Sequence, residues 1–268
     1  MMGDGPRRLI LVTNDDGILS PGLDVLARIA ALFGDVAVVA PEREMSGVSH
    51  AITLTDPLRS RVVGPGRWSL SGTPADCVFV AVNHILDRRP DLLLSGINRG
   101  PNLGYDVLYS GTVGGAMEGT IQHIPSIAFS LVSAGDFPFE WASQHVETMV
   151  RRVLEQGIPP RVTLNVNIPD PSIAPWKGFR ATRLGNRFYS SDVIAREDPR
   201  GGEYLWLGGT RVTMESAPDS DCGAVHAGWG AVTPLTDDLL ARDALARMDW
   251  VNGPEPVETP DSEREKNP

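Results

Sequence analysis

The sequence predicts an α/β fold, in which helices cover a parallel sheet and a smaller C-terminal extension follows. Strand and helix patterns alternate through the first two thirds of the 268 residues, and repeated β-α-β spacing is typical of parallel sheets. After Pro175 the chain becomes rich in glycine and in short alternating stretches, which indicate hairpins outside the main sheet. The composition, 41% hydrophobic and 22% charged, is that of a globular protein.

Apolar runs and helix-capping signals define the elements of the first half. Residues 9–13 form a buried strand. Ser20 and Pro21 are suited to the N-cap and first position of a helix that runs to Phe33. Thr73 and Pro74 begin a second helix in the same way, and it extends to about Leu86. Further strands are expected at residues 35–40, 68–71 and 91–95.

The second half continues the alternation and then departs from it. We expect helices at residues 113–122, 140–156 and 236–248, strands at 124–131, 161–168 and 231–235, and hairpins within 179–213. The domain prediction is a flexible N-terminus at 1–8, a catalytic domain at 9–175, a C-terminal arm with a last strand and helix at 176–252, and a disordered, charged and proline-rich tail at 253–268.

Composition excludes several classes of partner. The formal net charge of -10 argues against a nucleic-acid coat function or binding to an anionic membrane. No apolar run reaches the roughly 18 residues that a spanning helix needs. The two cysteines, Cys77 and Cys222, lie in no metal-binding pattern, and the first eight residues have no apolar signal segment. These features predict a cytoplasmic protein with reduced thiols.

Two adjacent carboxylates, Asp15 and Asp16, follow the first predicted strand directly. They lie where open α/β sheets bind ligands, outside the carboxyl ends of the strands. Two neighbouring carboxylates repel each other unless a cation or a proton intervenes. One of them could instead cap the following turn, but the pair favours a metal site. Carboxylates prefer hard cations such as Mg²⁺ or Mn²⁺.

Three later segments carry residues that suit such a site. Ser46 follows the second strand, and its hydroxyl could complete a coordination shell or belong to a plain polar loop. Asn98 and Asn102 lie in a glycine-rich loop, where an amide can ligate a cation or stabilise a turn. Residues 110–113 begin a helix with small residues, a setting suited to a phosphate or to ordinary capping. The P-loop, dinucleotide-binding and nucleophile-elbow patterns are absent from the sequence.

Several ordered motifs resemble those of the stationary-phase survival protein SurE family, whose members are metal-dependent 5′/3′-nucleotidases. The resemblance covers about residues 9–234. The motifs that carry it are Thr13-Asn-Asp-Asp-Gly-Ile18, Ala40-Pro-Glu-Arg43 with Ser46-Gly-Val-Ser49, Gly72-Thr-Pro-Ala-Asp76, Ser95-Gly-Ile-Asn-Arg-Gly100 and Tyr109-Ser-Gly-Thr-Val113. Gly115 stands where many relatives have alanine.

The resemblance implies a Rossmann-like domain and a divalent-metal-dependent phosphomonoesterase acting on nucleoside 5′- and 3′-monophosphates. It implies one Mg²⁺ or Mn²⁺ ion per subunit, held by Asp15, Asp16, Ser46 and Asn98. The two aspartates are also the catalytic candidates, and the substrate phosphate is expected at Asn14, Asn102, Ser110, Gly111 and Thr112. Exchange of the C-terminal arm between subunits implies a homodimer or homotetramer.

Three alternatives remain open on sequence alone. A receiver-like signalling module also binds Mg²⁺ with an acidic pair, but it needs a later phosphoacceptor aspartate and a lysine, and the first lysine here is Lys177. A haloacid-dehalogenase-type phosphatase needs one residue between its two aspartates, whereas Asp15 and Asp16 are adjacent. A non-catalytic nucleotide binder would hold AMP without cleaving it.

Overall fold

A computed structural model describes residues 7–190, 192–207, 212–248 and Val251. By their internal contacts the residues divide into two compact units, Met1–Asp237 and Asp238–Pro268. The predicted disordered tail at 253–268 lies outside the described residues, as do residues 1–6 of the predicted flexible N-terminus.

The described residues contain strands of widely different length. In chain order they are β1 (Leu9–Thr13), β2 (Asp35–Pro41), β3 (Ser60–Gly64), β4 (Arg67–Leu70), β5 (Leu92–Arg99), β6 (Ser126–Val132), β7 (Val162–Pro169), β8 (Phe179–Ala181), β9 (Arg187–Tyr189), β10 (Val193–Glu197), β11 (Glu203–Leu207), β12 (Val212–Met214) and β13 (Gly230–Thr236).

The α-helices lie mostly between strands of the main sheet. They are α1 (Pro21–Ala30), α2 (Pro74–Val80), α3 (Gly111–Ile121), α4 (Phe139–Gln156), α5 (Asp221–His226) and α6 (Arg242–Leu245). A π-helical turn, Ala81–Ile85, continues α2, and a 3-10 turn, Gly104–Leu108, precedes α3. No helix in the described part of the chain is long and apolar enough to cross a membrane.

The main sheet has the strand order β3-β4-β2-β1-β5-β6-β7-β13-β8. Strands β4, β2, β1, β5, β6 and β7 are mutually parallel, while β3 and β13 pair antiparallel with β4 and β7. The chain winds outward from β1 in both directions, because β2 pairs on one side of it and β5 on the other. Such a reversal of strand order opens a crevice at the carboxyl ends, where doubly wound folds bind ligands. The predicted α/β class with a mostly parallel sheet is confirmed.

Apolar side chains cover both faces of the sheet. On one face Ile10 and Val12 pack with Leu26 of α1 and Val150 of α4. On the other face Leu11 packs with residues of α2 and α3. Because successive residues of β1 point to opposite faces, this one strand contributes to both cores. Its carboxyl end is thereby held between two apolar layers.

The region after Pro175 is divided between the main sheet and separate hairpins. Strands β13 and β8 extend the main sheet beyond β7. Strands β10 and β11 form an antiparallel pair, and β12 pairs with β9. Every described residue of β10 and β11 is exposed. The hairpins expected within residues 179–213 are therefore present, and the proposed boundary near residue 175 stays a prediction.

Four details differ from the sequence-based expectations. Helix α1 ends at Ala30 instead of Phe33, and β5 continues through Gly96 to Arg99. Strand β3 was not predicted, because it is an exposed edge strand without an apolar face. The helix expected at residues 236–248 is wrong in extent: Thr236 ends β13, and α6 spans only Arg242–Leu245 with no buried residue to stabilise a longer helix.

Gly22 offers a direct test of how closely α1 approaches β5. A Cβ atom at this position would lie 2.2 Å from the carbonyl oxygen of Ile97. Helix propensity alone would make alanine about 1 kcal/mol more stable than glycine at this position. A loss of stability on substitution would therefore come from the clash with Ile97. We expect Gly22→Ala to lower the free energy of unfolding by about 1–3 kcal/mol in urea titrations.

Gly135→Ala makes the same substitution outside a helix and is the control for added bulk, because a Cβ atom there would have no neighbour within 4 Å. The control should change the unfolding free energy little. A Gly22→Ala protein as stable as the wild type would contradict the packing described for α1.

Candidate metal and phosphate site

Three segments of the chain meet the acid pair at the carboxyl end of β1. The backbone oxygen of Asp15 accepts a hydrogen bond from Met45 N at 2.7 Å, which attaches the loop after β2. The Asp16 carboxylate accepts one from Arg99 N at 3.4 Å, which attaches the end of β5. The Thr112 hydroxyl donates to Asp15 Oδ1 from the first turn of α3. The segments predicted to form one site are thus brought together.

Two glycines permit this convergence. Gly17 has a φ of +97°, a conformation that side chains rarely adopt, and it turns the chain directly after the acid pair. Gly111 begins α3, where a Cβ atom would lie 2.8 Å from Asp15 Cβ and 3.0 Å from its Oδ2. Any side chain at residue 111 would therefore push the helix away from the carboxylate.

The Asp15 carboxyl group is almost removed from water, with 4% of the residue exposed. Burial raises its pKa to about 6, and the negative charge of Asp16 acts in the same direction. The hydrogen bond from the Thr112 side chain opposes this rise. Asp15 is therefore a carboxylate whose charged form gains stability from any cation placed beside it.

Asp16 is half-buried, and its pKa is also raised, first by burial and then by the charge of Glu44. The Arg99 backbone N–H and guanidinium lower it in part. Among the described residues no group of three or more His, Cys, Asp or Glu side chains could hold a metal ion. Oxygen atoms of serine or asparagine would therefore have to complete a cation site at the acid pair.

Ser46 lies in the loop after β2, and Asn98 is the second-last residue of β5. Ser46 is exposed, and its hydroxyl donates to Glu44 Oε1 at 2.8 Å. Asn98 donates from Nδ2 to the carbonyl oxygen of Gly100 at 3.0 Å. That bond leaves the Asn98 carbonyl oxygen as the group suited to a hard cation. Their predicted role as metal ligands stays a prediction.

The predicted phosphate residues have well-defined structural contacts. Ser110 is the N-cap of α3, and its hydroxyl accepts from Val113 N at 3.1 Å. Asn14 is fully buried and donates to Gly17 O and Ser20 Oγ at 3.1 and 2.8 Å. Asn102 is 6% exposed and is bound to neighbouring strands. Phosphate contact by these residues, Gly111 and Thr112 stays a prediction, and Asn14 and Thr112 are both fully buried.

The loop that carries Ser46 is fastened on its C-terminal side by side chains of two helices. His50 Nε2 lies 2.9 Å from Glu118 Oε2 of α3. Thr53 donates from its backbone N–H and its hydroxyl to the Asp76 carboxylate of α2, at 2.9 and 2.6 Å. These bonds lie beyond Ser49, whereas the part of the loop before it is attached to the acid pair by the bond from Met45 N to Asp15 O.

The structure adds neighbours that sequence reasoning did not identify. Glu44 and Arg99 line a cleft of about 270 Å³ beside Asp16, together with Leu19 and Phe139. Glu44 and Arg99 are each within two residues of a predicted ligand, which was a usable signal. Two fully buried asparagines of β7, Asn165 and Asn167, were also missed. The sequence signal that could have identified them is the polar residue at every second position of the otherwise apolar strand β7.

Fold and site together define a class: a doubly wound α/β protein with an oxygen-donor site where the strand order reverses. Comparison with known families refines this class. The family described as survival protein SurE matches residues 10–191, and the chain belongs to this family. The expected resemblance is therefore confirmed.

Similar proteins support the same assignment over most of the chain. A 5′-nucleotidase SurE of Myxococcus xanthus (strain DK1622) is 46% identical over 246 residues, which are 91% of this chain and 93% of the relative. One from Moorella thermoacetica (strain ATCC 39073 / JCM 9320) is 47% identical, over 86% of this chain and 91% of the relative. The crystal structure of the SurE protein from Aquifex aeolicus has a TM-score of 0.80 and 40% identity, over 91% of this chain and 100% of that one.

The approach of α3 to Asp15 can be tested at Gly111. A Cβ atom there should displace the Asp15 carboxylate, so Gly111→Ala should weaken Mn²⁺ binding by about 10- to 100-fold, as measured by isothermal titration calorimetry. Gly115→Ala is the control in the same helix, because its Cβ atom would meet Pro74 Cβ at 3.2 Å instead of Asp15. Equal Mn²⁺ affinity in the two folded variants would argue against a cation at Asp15.

Proposed function

We propose that this protein is a divalent-metal-dependent phosphomonoesterase that hydrolyses nucleoside 5′- and 3′-monophosphates to nucleoside and phosphate. One observation carries the proposal: two adjacent carboxyl groups with raised pKa values lie where the strand order reverses. Relatives named 5′-nucleotidase SurE, 46% and 47% identical to this chain, support the substrate class.

The residues present fit one divalent cation per subunit, either Mg²⁺ or Mn²⁺. Asp15 and Asp16 supply two carboxylates, Ser46 a hydroxyl and Asn98 an amide oxygen, and hard cations prefer oxygen donors of this kind. Burial raises the pKa of both carboxyl groups, and the negative charge of Asp16 raises the pKa of Asp15 further. Positive charge beside them would relieve both effects.

The chain's own groups then have separate roles in phosphate release. A cation held by Asp15, Asp16, Ser46 and Asn98 would supply positive charge to stabilise the phosphoryl group during transfer. Thr112 holds the Asp15 carboxylate in place through its hydroxyl. The Thr112 backbone also favours the charged form of this carboxylate. The helix dipole, which is positive at the start of α3, would favour the substrate phosphate there. Asp15 or Asp16 takes a proton from the attacking water.

The cellular setting and the assembly complete the proposal. Cys77 and Cys222 are both buried and free, which suits a reducing cytoplasm. In the exposed β10–β11 hairpin, Leu205 is 60% and Trp206 61% exposed. Neighbouring apolar side chains this exposed favour a protein interface. A homodimer or homotetramer built through this arm would bury them.

The activity is tested by phosphate release from 5′-AMP and 3′-AMP with Mg²⁺, Mn²⁺ or EDTA. Asp15→Asn keeps the shape of the side chain but removes its charge, and should lower turnover by about 10²- to 10³-fold. EDTA should abolish turnover in the wild type. Asp56→Asn makes the same chemical change at an exposed position and should leave turnover unchanged.

Normal turnover in a folded Asp15→Asn protein would contradict the assignment of this site. A wild-type protein that binds AMP but releases no phosphate with either metal would favour the non-catalytic nucleotide binder.

The assembly is tested by light scattering of the full-length chain, whose monomer mass is 28.9 kDa. A Leu205→Glu/Trp206→Glu variant should fall from a dimer or tetramer to this mass, because two charges would be buried in the interface. Leu32→Glu changes a residue 63% exposed outside the arm and should keep the wild-type mass. A monomeric wild type would exclude the proposed assembly.

A further inference from the structure

A row of polar residues crosses three neighbouring strands at their carboxyl ends. Asn98 of β5 is the register partner of Ser130 of β6, and Ser130 is the partner of Asn167 of β7. Asn165 lies two residues before Asn167 and therefore on the same face of the strand. The row begins at a predicted metal ligand and ends at two asparagines with no role in the proposed mechanism.

The peptide groups and side chain of Asn102 are bound to this row. Its backbone N–H donates to Asn167 Oδ1 at 2.8 Å. Its backbone oxygen accepts from Asn165 Nδ2 at 2.8 Å and from Asn167 Nδ2 at 3.0 Å. Its side-chain Nδ2 donates to Ser130 Oγ at 2.8 Å. Four hydrogen bonds thus hold one residue of the loop that follows Asn98.

The same loop has an attachment on each side of Asn102. Gly100 N donates to the carbonyl oxygen of Leu131 at 3.0 Å. Gly104 N donates to Asp221 Oδ2 at 2.9 Å. These bonds fix the ends of residues 100–104, whereas the asparagine pair fixes the middle. The loop joins the end of β5, which carries Asn98, to the 3-10 turn that precedes Ser110. Its path therefore determines how these two segments are placed relative to each other.

Stability alone does not account for the asparagine pair. Asn165 and Asn167 are both 0% exposed, although asparagine is disfavoured inside strands. Asn165 Oδ1 is buried and has no hydrogen-bond partner among the described residues. A buried acceptor without a partner destabilises a fold, and apolar residues of similar shape would avoid this cost. The arrangement therefore favours a role in the site over a role in the core.

We propose that Asn165 and Asn167 are positioning residues, which hold the Asn102 peptide and through it place Asn98 and the start of α3 for phosphate release. The inference rests on the proposed function. Neither asparagine needs to contact the substrate. The two asparagines instead restrict residues 100–104 to the path in which the predicted ligands converge on Asp15 and Asp16.

Asn165→Leu separates this role from a structural one. Leucine has nearly the same shape, removes one bond to the Asn102 oxygen and also removes the unpartnered Oδ1. We expect kcat for 5′-AMP to fall about 10- to 100-fold, since small displacements of reacting groups cost rates of this order. The melting temperature should stay the same or rise. A merely structural role would lower the melting temperature and leave kcat intact.

Asn167→Asp is the second variant, because its carboxylate keeps the acceptor for Asn102 N but places an oxygen against the Asn102 carbonyl. It should lower kcat at least as much as Asn165→Leu. Thr163→Val is the control on the same strand: Thr163 is 0% exposed, and its hydroxyl bonds Thr120 Oγ1 at 2.5 Å, away from the loop. It should lose stability without losing kcat at temperatures well below its melting point.

Hydrogen–deuterium exchange of the peptide covering residues 98–104 gives a readout independent of activity. Exchange there should accelerate in both asparagine variants and not in Thr163→Val. Unchanged kcat and exchange in folded asparagine variants would overturn the inference, as would an equal loss of kcat in Thr163→Val. A wild-type protein that releases no phosphate would instead refute the proposed function. Accelerated exchange in the asparagine variants would still show that Asn165 and Asn167 restrain residues 98–104.

Discussion

Asp15 lies just beyond the carboxyl end of β1 and has a carboxyl group with little access to water, and the other parts of the site are arranged around this group. A desolvated carboxylate next to a second acid is unfavourable unless hydrogen bonds or a cation compensate. Thr112 supplies a hydrogen bond, and Gly111 allows α3 to come close enough for it. Small residues are therefore needed at the start of α3 so that this hydrogen bond to Asp15 can form.

Much of the fold could be predicted because its elements carry local signals. Ser20 and Thr73 are N-caps followed by proline, and both helices begin where these residues predict. Strand β3 and the short α6 could not be predicted reliably, because neither buries an apolar face that would leave a periodic pattern. Pairing at the edge of a sheet depends on a neighbouring strand, and the sequence of β3 does not contain that information.

The site was predictable in its location but not in its internal contacts. Parallel strands that diverge from β1 bring their carboxyl ends together, so residues after β1, β2 and β5 had to converge. Side-chain direction is a different matter. Asn14 is directed into the turn at Gly17 and Ser20, and Ser46 bonds Glu44. The asparagines of β7 lie nearly 70 residues after Asn98, and only the register of β5, β6 and β7 relates them.

The loop after β2 is held to the rest of the molecule differently from the other two segments of the site. Its bonds to α2 and α3 run through the Asp76 and Glu118 side chains, and one backbone bond joins Met45 to Asp15, while Glu44 and Ser46 lie exposed. Such a segment can open locally at a lower free energy than the sheet unfolds. Catalytic competence and foldedness are then separate thermodynamic quantities. The protein would lose its site on warming while far-ultraviolet circular dichroism still reported an intact fold.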